Sequence, residues 1–278
     1  MSGTEAPRRS YSPSPRPSYT VPTAITRAGV TRHLWGDEES GVVADLIYAS
    51  TEAIHALVFI LPPGGAFRHS EEYRTVFGAD EVLHVLSGTM EIANPETGEV
   101  QLVPRGGSVF FGPDTWHHAF ARGEEPLRVL EFLAPPPASG STGAYARTRP
   151  YLEHSVYTRD PDRGGEDTLH VLRDADLAWR RDRGVLSAIL AETPRLSVST
   201  MEIRPGEASE WQNHGGDELL YVLDGRLWLR AQHEDATYVF ELDAEDACLL
   251  PAGSDHEYRN YGAVTARTLV GIAPNASA

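Results

Sequence analysis

The sequence predicts an all-β protein made of two tandem antiparallel β-barrels preceded by a disordered tail. Three observations lead there. After the first two dozen residues, short Val, Ile, Leu, Phe and Tyr runs are cut by Gly, Pro, Asn and Asp at intervals of about ten residues, the spacing of a sandwich or barrel rather than of alternating strands and helices. Three blocks of sequence recur in the same order at offsets of about 137 to 144 residues, which marks a duplicated domain. The stretches before the first copy and between the two copies have the composition of a tail and a linker.

Residues 1–22 are rich in Ser and Pro and show no apolar period, so they bury too little to offset the entropy of ordering and are expected to be disordered. The first barrel is placed at 23–135. Its blocks are Leu57-Val58-Phe59-Ile60-Leu61-Pro62-Pro63-Gly64, then Glu81-Val82-Leu83-His84-Val85-Leu86-Ser87-Gly88, then Ser108-Val109-Phe110-Phe111 running to Thr115-Trp116-His117. Residues 136–175 are read as a linker, Pro- and Ser-rich at its start, with the segment from about 144 onward wrapping one barrel against the other. The second barrel is placed at 176–278. It repeats the blocks as Val198-Ser199-Thr200-Met201-Glu202-Ile203, then Glu218-Leu219-Leu220-Tyr221-Val222-Leu223-Asp224-Gly225, then Ala247-Cys248-Leu249-Leu250 running to Ser254-Asp255-His256.

Composition excludes several kinds of chemistry. Lysine is absent, which removes Schiff-base enzymes, pyridoxal phosphate anchoring and phosphate loops ending in Gly-Lys-Ser/Thr. The single cysteine, Cys248, rules out an internal disulfide or a thiolate cluster, and its apolar neighbours read as a buried core position. A net charge of -16 disfavours nucleic acid and anionic membrane surfaces as partners. No apolar run reaches the roughly 18 residues of a membrane span, and Arg8-Arg9 is followed by no hydrophobic region, so a cytoplasmic location is expected.

Potential chemistry gathers in the second copy. His214 and Glu218 would lie about 13 Å apart on a straight strand. The intervening Gly215-Gly216-Asp217 signals a turn, with glycine supplying a positive φ, and a reversal there lets both side chains converge. Beyond a second turn at Pro251-Ala252-Gly253, His256, Tyr258 and Asn260 alternate with period two and face one way.

These residues resemble the motifs of the cupin superfamily. Gly206, Gln212-Asn213-His214, Glu218 and Gly225 match its first motif, except that Gln212 stands where a first histidine belongs; Pro251, Gly253, His256 and Asn260 match its second throughout. The resemblance implies a bicupin of two jelly-roll-like barrels, with His214, Glu218 and His256 as metal ligands. Gln212 is counted with the metal set, but as its amide is a poor ligand beside imidazole it would instead hydrogen-bond a bound water or substrate; Tyr258 and Gln212 are the expected catalytic groups. Two histidines and one carboxylate leave positions open on an iron(II) centre, where O2 and substrate bind together. The missing histidine argues against a four-ligand, manganese-type oxalate site. Fe(2+) is therefore the expected ion, with Mn(2+), Ni(2+), Co(2+) or Zn(2+) as alternatives.

In the first copy, His69, Glu81 and His117 form a second, degraded candidate site, and His84 is expected to face out of its barrel. Trp211, Trp228 and Arg230 are expected to contact substrate, while His33, His55, His154, His170 and His233 read as surface residues. The leading functional expectation is an iron(II) oxygenase or dioxygenase acting on a small organic molecule. The alternatives are a metal-assisted isomerase, epimerase or decarboxylase, and a ligand-binding bicupin without turnover. Cupins often swap edge strands between barrels, which allows a homodimer, yet a two-barrel chain can satisfy that pairing internally.

Overall fold

The computed structural model describes residues 14–37, 41–67, 78–95, 97–113, 115–136 and 168–274. From the amino end come β1 (Thr23–Ile25), β2 (Thr31–Asp37), β3 (Gly41–Ser50), β4 (His55–Leu61), β5 (Ala66–Phe67) and β6 (Asp80–Ser87). Next are β7 (Thr89–Asn94), β8 (Glu99–Pro104), β9 (Ser108–Phe111), β10 (His118–Arg122), β11 (Leu127–Ala134) and β12 (His170–Leu172). After a short 3₁₀ turn at Asp174–Asp176 follow β13 (Arg180–Asp182), β14 (Val185–Glu192), β15 (Ser197–Ile203), β16 (Asp217–Asp224) and β17 (Arg226–His233). The last four are β18 (Ala236–Asp243), β19 (Ala247–Leu250), β20 (Asp255–Arg259) and β21 (Ala266–Ala273).

The duplication read from the sequence reappears as topology. One large sheet runs β12-β9-β6-β11-β4-β3-β2 and the other β1-β19-β16-β21-β15-β14-β13. Each position in one sheet has its counterpart in the other. Smaller sheets, β5-β10-β7-β8 and β18-β17-β20, complete the two barrels, and every pairing is antiparallel.

The end strands are exchanged. β1 precedes the first barrel in sequence but pairs with β19 of the second, Ala24 opposite Cys248. β12 leads into the second barrel as β1 leads into the first, but pairs with β9 of the first, Val171 opposite Val109. Residues 14–22 run beside these elements: the Pro17 carbonyl accepts a 2.6 Å hydrogen bond from the Ser50 amide, and Tyr19 rests on the core between the barrels.

The central strands of the large sheets are largely apolar on both faces because both faces are buried. On β16, Leu220 and Val222 point into the second barrel, while Leu219 and Tyr221 join Tyr48, Val58, Phe132 and Leu249 between the barrels. Such strands read as continuous hydrophobic runs, whereas β17, with one face in water, alternates strictly. Among the described residues no helix is long and apolar enough to cross a membrane.

Candidate metal centre

Two loops at the mouth of the second barrel clasp each other and set the candidate ligands. Gln212 and His256 exchange both backbone hydrogen bonds, at 2.9 and 2.8 Å. The Gly253 amide donates to the His214 carbonyl at 2.8 Å, and the Asn213 side chain donates to the Gly253 carbonyl at 2.9 Å. Asn260, the last residue of the second motif, is structural: its amide donates at 2.7 Å to the carbonyls of both Ile203 and Val264.

The reversal between His214 and Glu218 occurs, though not by the expected device. Gly216 does not adopt a left-handed conformation; it is needed for close approach, because a Cβ there would lie 2.1 Å from the Pro274 carbonyl oxygen. Asp217 ties the turn to the other loop by accepting a 3.0 Å hydrogen bond from the Ala252 amide.

His214, Glu218 and His256 converge, one ligand atom of each lying within 4.8 Å of the others. His214 Nε2 and His256 Nε2 lie 3.2 and 3.3 Å from Glu218 Oε2. Glu218 and His256 are buried and His214 is partly exposed toward the mouth. His256 Nδ1 lies 3.0 Å from the Ser254 carbonyl, which can only accept, so the Nδ1 proton is fixed there and Nε2 faces the carboxylate. Glu218 Oε2 is buried without a hydrogen-bond partner.

This donor set fits a cation. A ligating histidine commonly donates its other N–H to a backbone carbonyl, and donors about 2.1 Å from one ion are separated by about 3.0 to 3.4 Å. Burial works against a charged His256, but the Glu218 carboxylate outweighs it and holds the imidazole above its usual pKa. Burial likewise opposes ionised Glu218, yet the two imidazoles and the Tyr258 hydroxyl hold it below the carboxylate range. Burial lowers His214, which therefore presents a neutral ring.

Tyr258 is buried beside the cluster, its hydroxyl donating a short hydrogen bond to Glu218 Oε1 and lying 2.9 Å from His256 Nε2. Gln212 approaches this hydroxyl, and its Oε1 accepts from the Arg183 guanidinium at 3.4 Å. Cys248, fully buried on β19, has its thiol pushed up by burial and by Glu218.

Trp211, Trp228 and Arg230 do not line this space. On β17 the inward side chains are Leu227, Leu229 and Ala231, so alternation puts Trp228 and Arg230 on the outer face. There Arg230 covers the half-exposed Trp211 ring at 5.3 Å, and Trp228 meets Tyr261 edge-on.

In the first barrel, Glu81 and His117 are buried, with His117 Nε2 3.9 Å from Glu81 Oε2. His69 and His154 lie outside the described residues. Here burial, Glu131 and Asp80 push Glu81 well up, and burial takes His117 down to about 4. The shifts thus run opposite to those of Glu218 and His256 in the second barrel. Among the described residues, the second-barrel trio is the group of this kind that converges.

Sequence reasoning missed two residues. Glu131 hydrogen-bonds Glu81 from β11, and a lone carboxylate in Leu127-Arg128-Val129-Leu130-Glu131-Phe132-Leu133 was a readable signal. Arg183, in the turn joining β13 to β14, carries no sequence cue to the direction of its side chain. His84 leaves its own barrel's interior but is covered, 2.9 Å from Ser108 Oγ. His55, expected at the surface, is buried because β4 runs between β3 and β11, which place Ser50 and Leu133 on either side. His33 is largely enclosed near Asp45, His170 is exposed against Phe110, and His233 Nδ1 contacts Ser254 Oγ.

The cupin domain model matches residues 57–133 and 199–272, more than half of the chain and both barrels. The chain belongs to the cupin family. Solved structures that resemble this bicupin include a serine-to-alanine variant of Bacillus subtilis oxalate decarboxylase, with 13% identity, TM-score 0.65, and 93% of this chain and 78% of that one covered. A tryptophan-to-tyrosine variant of the same enzyme gives 14% identity, TM-score 0.68 and the same coverage. The Lactobacillus farciminis oxalate decarboxylase formate complex gives 13% identity and TM-score 0.65, with 95% and 90% covered. At these identities the likeness establishes architecture. No curated protein matches the sequence.

Proposed function

We propose that this bicupin is a metal-dependent enzyme acting on a small organic carboxylate, with decarboxylation as its chemistry. The observation that carries the reading is the convergence of His214, Glu218 and His256 around the unpartnered Glu218 Oε2. The decarboxylases that share this architecture turn the leading expectation from oxygenase to lyase. His214, Glu218 and His256 would hold Mn(2+), Fe(2+) or a similar divalent ion, which when bound supplies Lewis acidity to a carboxylate or carbonyl oxygen.

The chain's own groups supply the rest. Arg183 brings a guanidinium to the mouth, suited to hold one carboxylate of an entering acid. Gln212, with its oxygen turned to Arg183, leaves its N–H groups for Tyr258 or a substrate oxygen. Leu220, Leu229 and Leu250 line the barrel interior around the site and exclude water.

A second reading, an iron(II) oxygenase, keeps one observation in its favour: two histidines and one carboxylate leave positions open for O2. One assay separates them. Protein loaded with manganese, iron or cobalt is offered small mono- and dicarboxylic acids, oxalate first, while CO2 release and O2 uptake are followed together. Decarboxylation gives CO2 without matching O2 uptake, and Arg183→Ala raises KM by about tenfold while kcat changes less. Stoichiometric O2 uptake overturns the lyase reading; absence of turnover with all these acids removes the carboxylate substrate.

A further inference from the structure

The metal motif of the second barrel is one histidine short, and the structure puts another donor atom beside the gap. Tyr258 lies two residues beyond His256 on β20, so both side chains enter the barrel. Its oxygen is 2.9 Å from His256 Nε2 and in short contact with Glu218 Oε1. It therefore stands against two of the three ligands, on Oε1 of the carboxylate whose Oε2 lies 3.2 and 3.3 Å from His214 and His256. The hydroxyl has a single proton, given to Glu218 Oε1, which leaves Glu218 Oε2 buried without a hydrogen-bond partner. That hydrogen bond satisfies one carboxylate oxygen, whereas a shared cation also satisfies the other.

Register shows that the group is particular to this barrel. Tyr258 pairs with Leu229 across β17, and the matching place on β10 of the first barrel, opposite Ile92 on β7, is held by Ala119. Charge supplies a further argument: one carboxylate leaves a buried divalent ion with a net positive charge, which is costly at low dielectric, and a phenolate cancels it. Gln212 is placed to serve this oxygen rather than the ion, as its amide approaches the hydroxyl while its own oxygen is taken by Arg183.

We infer that Tyr258 is a fourth protein ligand, its phenolate oxygen completing a set of two histidines, one glutamate and one tyrosine in place of the histidine absent at Gln212. The inference rests on the metal-binding reading of the site. On coordination the phenol O–H bond breaks, an oxygen–metal bond forms, and the proton passes to solvent with no change of oxidation state.

The test uses the full-length protein loaded with one equivalent of ferric iron, followed by visible absorption and resonance Raman. Phenolate bound to ferric iron gives a visible charge-transfer band with phenolate vibrations enhanced under it. The wild type shows this band; Tyr258→Phe retains iron, bound about tenfold or more weakly, and loses the band. Tyr258→His, which offers another ligand, restores affinity without colour and serves where the phenylalanine variant does not fold. Iron-loaded wild type without the band, or a band that survives in Tyr258→Phe or Tyr258→His, overturns the inference while leaving the metal site standing. Iron binding that survives His256→Ala unchanged overturns the site itself, and the inference with it.

Discussion

Buried histidines in this protein divide by what they face. His256 meets the Glu218 carboxylate and holds its proton more tightly than usual, whereas burial carries His55 and His84 down to about 4. Near His55 the added charge of Arg16 pushes in the same direction; near His84 Arg267 does so and Asp174 opposes it. A histidine with a depressed folded pKa takes its proton more readily when unfolded, so its stabilising contribution is complete above about pH 6.5 and is lost as pH falls toward 4. The melting temperature should therefore drop across that window, and His84→Asn, which cannot ionise and can still bond Ser108, should reduce the drop by a few degrees. His55→Leu should act likewise and additively, the two sites being independent. Calorimetry at pH 7 and pH 4.5 measures both; equal drops in wild type and double variant would sink the idea. The resemblance to the cupin motifs marked His214, Glu218 and His256, because such a motif fixes residue type and interval together. Trp228 and Arg230 were misplaced for the lack of a reliable strand parity, and His55 because one polar residue at a strand end says nothing about its neighbours.

The elements that hold the centre are two turns and the strands they feed, β16 and β20. Gly216 is where they touch the rest of the fold, against the backbone at Ala273 and Pro274. A side chain there cannot fit without moving the turn, and moving it separates His214 from Glu218. Gly216→Ala is expected to weaken zinc or manganese binding by about ten- to a hundredfold while the circular dichroism of the β-barrels is retained. Unchanged affinity by titration calorimetry would show that the turn does not position the ligands. At this scale the sequence was legible where elements were long and doubled: the repeat and the Gly and Pro punctuation foretold paired barrels. The exchange of β1 and β12 was not legible, since three-residue strands carry no period and their partners are distant in sequence.

The two barrels form one molecule through a shared apolar core that neither would complete alone. Tyr48 meets Tyr221 edge-on at 5.3 Å, and its hydroxyl donates to the Glu245 carbonyl at 2.8 Å. Arg128 donates to both oxygens of the Glu245 carboxylate, each at 2.8 Å, across the same junction. With β1 built into the far sheet as well, unfolding one barrel exposes much of the other's buried face, so heating should give a single transition rather than two. A close fit in this junction is Phe132 of β11 against Gly271 of β21, where a Cβ would lie 2.5 Å from the ring. Phe132 is fully buried in the core shared by the two barrels. Gly271→Ala should therefore cost about 1–3 kcal/mol of overpacking and lower the melting temperature by several degrees. Phe132→Leu should be destabilising alone yet less so, or even restorative, when combined with Gly271→Ala, because the smaller side chain yields space to the new methyl. A double-mutant cycle by calorimetry reads this coupling directly. Strict additivity of the two substitutions, or a scan that resolves into two independent transitions, would show that the barrels are stabilised separately and that the junction is only a contact.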